Sequence, residues 1–369
     1  MDQAINRRSF VSGAAALAAS LGLGSLAMAS RARAAEAGAS ATADAETEAP
    51  EANAFSGESV SLFRSYAAAH GDKCFTQVGV AVTSDRVIRA VNIDDYQFLE
   101  AGENVVGVPN SSEGFGESFP EGKVLASKRA NDASYSAHMA EAAGATQSWL
   151  TSIEAIERFA VGKTVEEIAD IAQQGLDGAI GIDTVSGATL VDAFGYLQAI
   201  IEAVRAEDDP MQLEAKGAYT GDPETLAIGT RNAAAHGTKC FTNALALVQG
   251  DGTICAAHID DFQYLDAEGA TMLPNSNGGF GESFPEGRAL LSKALNNESY
   301  SAHMAEAGGA TQEWTESARA IEDFALGKQA GDLVNVSVDT VSGATFADTT
   351  GYAGAIAIAA ASAPVPVTK

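Results

Sequence analysis

Phe75–Leu99 reads FTQVGVAVTSDRVIRAVNIDDYQFL, and 166 residues later Phe241–Leu265 reads FTNALALVQGDGTICAAHIDDFQYL. In both, apolar and polar residues alternate on either side of a short turn, Ser-Asp in the first and Gly-Asp-Gly in the second. A period of two is that of an extended chain whose side chains face opposite sides, so each stretch reads as an antiparallel hairpin.

The correspondence runs well beyond the hairpins. AHGDKCFT (Ala69–Thr76) returns as AHGTKCFT (Ala235–Thr242), and GFGESFPEG (Gly114–Gly122) and YSAHMAEA (Tyr135–Ala142) return unchanged at Gly279–Gly287 and Tyr300–Ala307. After each hairpin comes a loop rich in Gly, Asn and Pro, at Gly107–Gly122 in the first copy. Trp149, Ile153, Ile156 and Phe159 then recur at helical spacing, with Gly162 placed as a C-terminal cap, and Leu190, Val191, Phe194, Leu197, Ile201 and Val204 predict a last helical stripe. The expected fold class is therefore α+β, with two tandem homologous domains, each a small antiparallel sheet with packed helices. The boundaries read as 59–206 for the first domain, 207–224 for a linker, 225–362 for the second domain and 363–369 for a C-terminal tail.

The chain has 369 residues and a formal net charge of -27, which disfavours nucleic acid and anionic membrane surfaces as partners because a phosphate backbone would be repelled. Arg7-Arg8, Phe10 and a Gly/Ala-diluted apolar run to about Ala29 are similar to a twin-arginine export signal, assigned to 1–34. The following residues, 35–58, are small and acidic, the composition of a disordered tether. Cys74, Cys240 and Cys255 are the three cysteines, none beside the signal, so no lipid acceptor is expected there. No cysteine pair has the spacing of a zinc or thiol-redox motif, and no metal site is expected. A Cys74–Cys240 disulfide is left open by the spacing.

One further repeat carries the chemistry. DTVSGAT occurs at Asp183–Thr189 and again, letter for letter, at Asp339–Thr345, although the copies differ at roughly half their positions elsewhere. The order of elements places Thr189 and Thr345 at the first turn of the last helix of their copies, where free N–H groups and the helix dipole seat an anion. Gly187 with Ala188, and Gly343 with Ala344, add no bulk. Ser186 and Ser342 can donate, and Asp183 and Asp339 can brace the turn. An ordinary helix cap is the plainer reading of a single Ser-Gly-Ala-Thr. The GAT strings at Gly144–Thr146 and Gly309–Thr311 lack the preceding Asp and Ser and read as decoys.

The motif resembles the D-x-x-S/T-G-A-S/T signature of FMN-binding domains in which the last hydroxyl residue is joined to FMN by a phosphoester. The whole arrangement is similar to the extracellular electron-transfer flavoproteins of Gram-positive bacteria. The resemblance implies two covalent FMN groups, on Thr189 and Thr345, with the remaining motif residues recognised by a flavin transferase using FAD. It further implies an exported, extracytoplasmic carrier. The tandem relatives are commonly lipoproteins; this chain departs from them in having no lipid-accepting cysteine beside the signal, so it is expected not to be a lipoprotein. Such a carrier relays electrons from a membrane quinone-linked donor to an extracytoplasmic acceptor or reductase, and need not be an enzyme by itself. The alternatives are a noncovalent flavin- or ligand-binding module and a flavin-dependent reductase of its own small substrate. Lys73 and Lys239, Lys128 and Lys293, and Lys123 with Arg288 are basic in both copies and read either as flavin contacts or as solvated ion pairs. His138 and His303 read as ring contacts or as buried, hydrogen-bonded histidines, and Phe115, Phe119, Phe280 and Phe284 as ring walls or as loop packing. No catalytic triad or phosphate loop has usable spacing.

Overall fold

Both hairpins form where the alternation predicts them. The computed structural model describes residues 55–185, 187–205 and 210–364. The expected export signal and all but the last four residues of the tether lie outside that range, as do Ser186 and the last five residues of the tail. Strands β1 (Glu58–Ala67), β2 (Cys74–Thr83), β3 (Ile88–Glu100) and β4 (Lys123–Ser127) make an antiparallel sheet in the order β4-β3-β2-β1, extended beyond β1 by β5 (Leu213–Tyr219). Strands β6 (Ala227–Ala233), β7 (Cys240–Val248), β8 (Ile254–Asp266) and β9 (Arg288–Ser292) make the second sheet in the order β6-β7-β8-β9. The segment expected as a linker, 207–224, thus supplies a strand to the first sheet.

The hairpin turns show what the repeat tolerates. Gly252 takes a φ of +84°, natural for glycine, and Arg86 occupies the matching position with φ +62°. A side chain there costs about 1 kcal/mol or more, and Arg86 offsets part of it through its Nε, which donates to Glu166 at 2.8 Å.

Alternation along β2 and β7 separates two buried faces rather than a wet and a dry one. Val78, Val80 and Val82 face the helices of the first copy, as Ala244, Ala246 and Val248 face those of the second. Phe75 and Ala81, with Phe241, Leu245 and Leu247, face the opposite sheet. The result is four layers, helices outside and the two sheets back to back. Gly79 and Gly217 sit where the sheets approach closely: an added Cβ would lie 2.9 Å from Leu245 Cδ1 at the first and 2.0 Å from Cys255 O at the second. Between the sheets Phe75 stacks on Tyr96 at 5.0 Å and Phe241 on Phe262 at 4.8 Å. Each such pair contributes about 0.5–1.5 kcal/mol beyond its buried area.

The loops after the hairpins cross between copies. Asn110 Nδ2 donates to the carbonyls of Gly237 and Cys240 at 2.9 and 2.7 Å, and Asn275 Nδ2 donates to those of Gly71 and Cys74 at the same distances. The Phe115 N–H donates to Thr238 O at 2.8 Å, and the Phe280 N–H to Asp72 O at 2.7 Å. The contact is therefore reciprocal, each copy gripping the same turn of the other. Phe115, Phe119, Phe280 and Phe284 join the aromatic cluster between the sheets, so loop packing accounts for them.

In the first copy the outer layer is α1 (Asp132–Ala143), α2 (Trp149–Ala160), α3 (Val165–Leu176) and α4 (Ala193–Arg205). In the second it is α5 (Asn297–Gly308), α6 (Trp314–Ala325) and α7 (Thr349–Ala361). Ser148 caps α2 by accepting from the Thr151 N–H at 3.1 Å, and Trp149, Ile153 and Ile156 are buried as their spacing predicts. Helix α3, with its Thr164/Glu167 capping box, has only a short 3-10 turn at Ala330–Leu333 as counterpart. The deletion in the second copy therefore removes a helix.

Candidate functional site

The two DTVSGAT loops adopt one conformation. Each opens on a single 3-10 turn, Ile182–Thr184 or Val338–Thr340, and is pinned by a buried valine, Val185 or Val341. The Ala188 N–H closes back on Val185 O at 3.0 Å, and the Ala344 N–H on Val341 O at 3.2 Å. Closing so tightly requires the residue between to take positive φ, and Gly187 and Gly343 both sit at +87°. Asp183, Asp339, Ser342, Thr189 and Thr345 are exposed, and Ala188 is buried while Ala344 is half-buried. Ser186, the remaining motif residue, lies outside the described residues.

The expectation that both threonines begin a helix is corrected. Helix α4 starts at Ala193 and α7 at Thr349, each four residues after its threonine. Leu190 and Val191 continue the apolar spacing in sequence without being helical, and Val191 is 87% exposed. Instead of the helix dipole, side chains from α2 and α6 hold the threonines. Ser152 Oγ lies 3.2 Å from Thr189 Oγ1 and accepts from the Thr189 N–H at 3.4 Å; Ser317 Oγ lies 2.8 Å from Thr345 Oγ1 and accepts from the Thr345 N–H at 3.3 Å. Gln147 Nε2 donates to Gly187 O, and Gln312 Nε2 to Gly343 O, both at 2.7 Å.

These four residues escaped the sequence reading. A usable signal was present: Gln-x-Trp-x-x-Ser recurs at Gln147, Trp149 and Ser152 and at Gln312, Trp314 and Ser317, directly after the GAT strings set aside as decoys.

A buried polar network, also duplicated, joins the helix after the motif to the sheet. Asp95 accepts from Thr76 Oγ1 at 2.7 Å, from Lys128 Nζ at 3.0 Å and from Tyr196 of α4 at 2.7 Å. Asp261 accepts from Thr242, from Lys293 Nζ at 3.0 Å and from Tyr352 of α7 at 2.6 Å. Lys128 and Lys293 are fully buried, so they are neither solvated nor free to reach a cofactor. Burial alone would lower the Lys128 ammonium, but the Asp95 carboxylate, together with Cys74 and Tyr135, more than reverses this and holds it above its usual range. His70 and His236 lie over Tyr196 and Tyr352 and bind Asp192 and Asp348, each at 2.7 Å.

The other basic and imidazole candidates stay at the surface. Lys73, Lys239, Lys123 and Arg288 are exposed, Lys123 pairing with Glu100 at 3.7 Å. His138 and His303 are exposed on α1 and α5, which corrects the buried alternative. Cys74, Cys240 and Cys255 are free and buried.

The geometry defines two equivalent exposed hydroxyls, each on a glycine-turned loop braced by a serine and a glutamine, in a mixed fold of seven helices and two antiparallel sheets among the described residues. Comparison with family models, with curated proteins and with solved structures gave no match.

Proposed function

We propose that the chain is an exported electron-transfer flavoprotein carrying FMN as phosphoesters on Thr189 and Thr345, within two tandem FMN-binding domains. The observation that carries the reading is the pairing of sequence identity with surface exposure. The seven motif residues are unchanged although the copies differ at roughly half of their positions, and they present their threonines outward. Packing constrains buried residues strongly and exposed ones little, so identity at exposed positions points to a demand from outside the fold.

The residues fit a covalent phosphoester. Thr189 Oγ1 and Thr345 Oγ1 have solvent on one side and a serine hydroxyl on the other, and that hydroxyl can donate to the ester oxygen. Gly187 and Gly343 supply the positive φ that turns the loop, and Gln147 and Gln312 fix the loop carbonyls. Transfer from FAD forms the Thr Oγ–P bond as the pyrophosphate breaks and AMP leaves, the reaction of a flavin transferase. The bound FMN supplies one- and two-electron transfer, and the chain supplies position and local charge. An ester also prevents dilution of the cofactor outside the cell. The proposed donor is a membrane quinone-linked system and the acceptor an extracytoplasmic reductase.

The test is intact mass after coexpression with a flavin transferase and FAD. The expected gain is two FMN less two waters in the wild type and one in Thr189→Ala or Thr345→Ala. Flavin that separates from the denatured polypeptide would defeat the ester and leave simple binding.

A further inference from the structure

Around the inner end of α2 and its counterpart α6, both copies keep a buried glutamate, Glu157 and Glu322, but differ at several of the residues around it. In the first copy Glu157 Oε1 accepts from the Ile93 N–H at 2.7 Å and from Arg129 Nη2. Arg129 also donates from Nε and Nη2 to Ile93 O at 3.1 and 2.8 Å, so one carboxylate and one carbonyl hold its guanidinium. In the second copy Glu322 Oε1 accepts from the Ile259 N–H at the same 2.7 Å, but Ala294 stands where Arg129 stands. Ala318 likewise replaces Ile153, and Thr315 replaces Leu150.

At the three smaller side chains lies an open pocket of about 450 Å³, floored by Glu322, Ile259 and His258, walled by Trp314 and Ala318, and bordered by Gln212 and the first residues of β5, Leu213 to Lys216. That volume lies in the range of small-molecule sites. Glu322 is 5% exposed and His258 7%. His258 Nδ1 lies 3.3 Å from Glu322 Oε1 without a hydrogen bond to it, and both ring nitrogens are buried without a hydrogen-bond partner. A buried polar atom left unmet is costly and calls for a partner. At the rim Lys216 and Arg319 offset Glu214 and Asp323, leaving the Glu322 carboxylate to set the charge of the floor.

We infer that this cavity binds a small organic cation with a guanidinium head. The head takes the place that Arg129 fills in the first copy, donating to the Glu322 carboxylate and to Ile259 O, beside the buried His258 ring. Its alkyl part lies against Trp314 and Ala318. The first copy serves as the internal comparison, because there the counterparts of the Glu322 carboxylate and the Ile259 carbonyl are engaged by a guanidinium, while Asn92 stands where His258 stands. The site is independent of the flavin proposal, since it uses none of the motif residues.

The test is calorimetric titration of the full chain with methylguanidinium chloride, with methylurea as its neutral isostere and a blocked arginyl tripeptide in parallel. The expected result is saturable one-to-one binding of methylguanidinium, at least tenfold tighter than methylurea and no weaker than the tripeptide. Ala294→Arg, which restores the missing side chain, should abolish the binding, and so should Ala294→Met, which fills the space without charge, both with unchanged circular dichroism. Absence of saturable binding, equal affinity for methylurea, or binding that survives either substitution would overturn the inference. Tighter binding of the tripeptide would overturn the small-molecule assignment.

Discussion

Lys128→Met is expected to destabilise the protein by about 3 kcal/mol, the low end of the 3–5 kcal/mol range for stripping a buried charge of its partner. The pair meets at 3.0 Å with both side chains fully buried. Methionine keeps most of the packing against the Tyr135 ring, which Lys128 Nζ approaches to 4.5 Å. The main loss is therefore electrostatic. Asp95 retains two hydroxyl donors, Thr76 and Tyr196, each at 2.7 Å. Hydrogen bonds to a charged group contribute about 1.5–3 kcal/mol each, which keeps the loss at the low end. With a urea m-value of about 3 kcal/mol/M, the midpoint should fall by about 1 M, measured by circular dichroism. Lys293→Met should behave alike, because Asp261 has the same three partners. Adding Asp95→Asn to Lys128→Met should recover about half of the loss or more. An unchanged midpoint in Lys128→Met, or no recovery in the double variant, would refute the reasoning.

Burial pushes the Asp94 carboxyl up to about 6 from 3.8, against the opposing pull of Arg129 and Ser127. The folded state therefore holds this proton more tightly than the unfolded one. The contribution of Asp94 to stability should fall as pH rises from about 4 to 6, by roughly 3 kcal/mol at most, read as a narrowing gap between the urea midpoints of wild type and Asp94→Asn. Burial also raises the thiols of Cys74, Cys240 and Cys255 to about 12, so a chromogenic disulfide reagent at pH 8 should find no reactive thiol in the folded protein and three after unfolding. If the proposed function holds, the second copy's lack of the acidic helix α3 should give a flavin on Thr345 the higher reduction potential. The difference should be small, because Glu166 is paired with Arg86 and Glu167 caps its own helix. Redox titration of Thr189→Ala and Thr345→Ala checks this, and the reverse order would sink it.

What was legible in the sequence was local. Alternation and turn residues locate the hairpins, and helical spacing locates α2, because neighbouring residues decide those structures. The motif could be found for a different reason, as a letter-for-letter repeat between diverged copies. Lys128 was misjudged because a lysine in an acidic chain is ordinarily solvated, and only the fold brings Asp95, Tyr196 and Thr76 around it. Gln147 and Ser152 reach the motif across 35 or more residues, a contact that no local pattern encodes. Helix α7 is alanine-rich without an apolar stripe, yet it runs as many residues as α4. Its small side chains let it lie close on β6, where a Cβ at Gly229 would fall 1.9 Å from Ala359 O.

The reciprocal grip of Asn110 and Asn275 has a consequence for descent. An interface in which the same loop holds the same turn in both directions has the form of a two-fold symmetric dimer, here enclosed within one polypeptide. Such an arrangement arises naturally when a gene for a self-pairing subunit doubles and its product is joined end to end, with β5 in the join. Fusion releases the halves from the obligation to be identical. One could then keep Arg129 while the other lost it, and one could shed a helix, because neither change any longer had to be made twice.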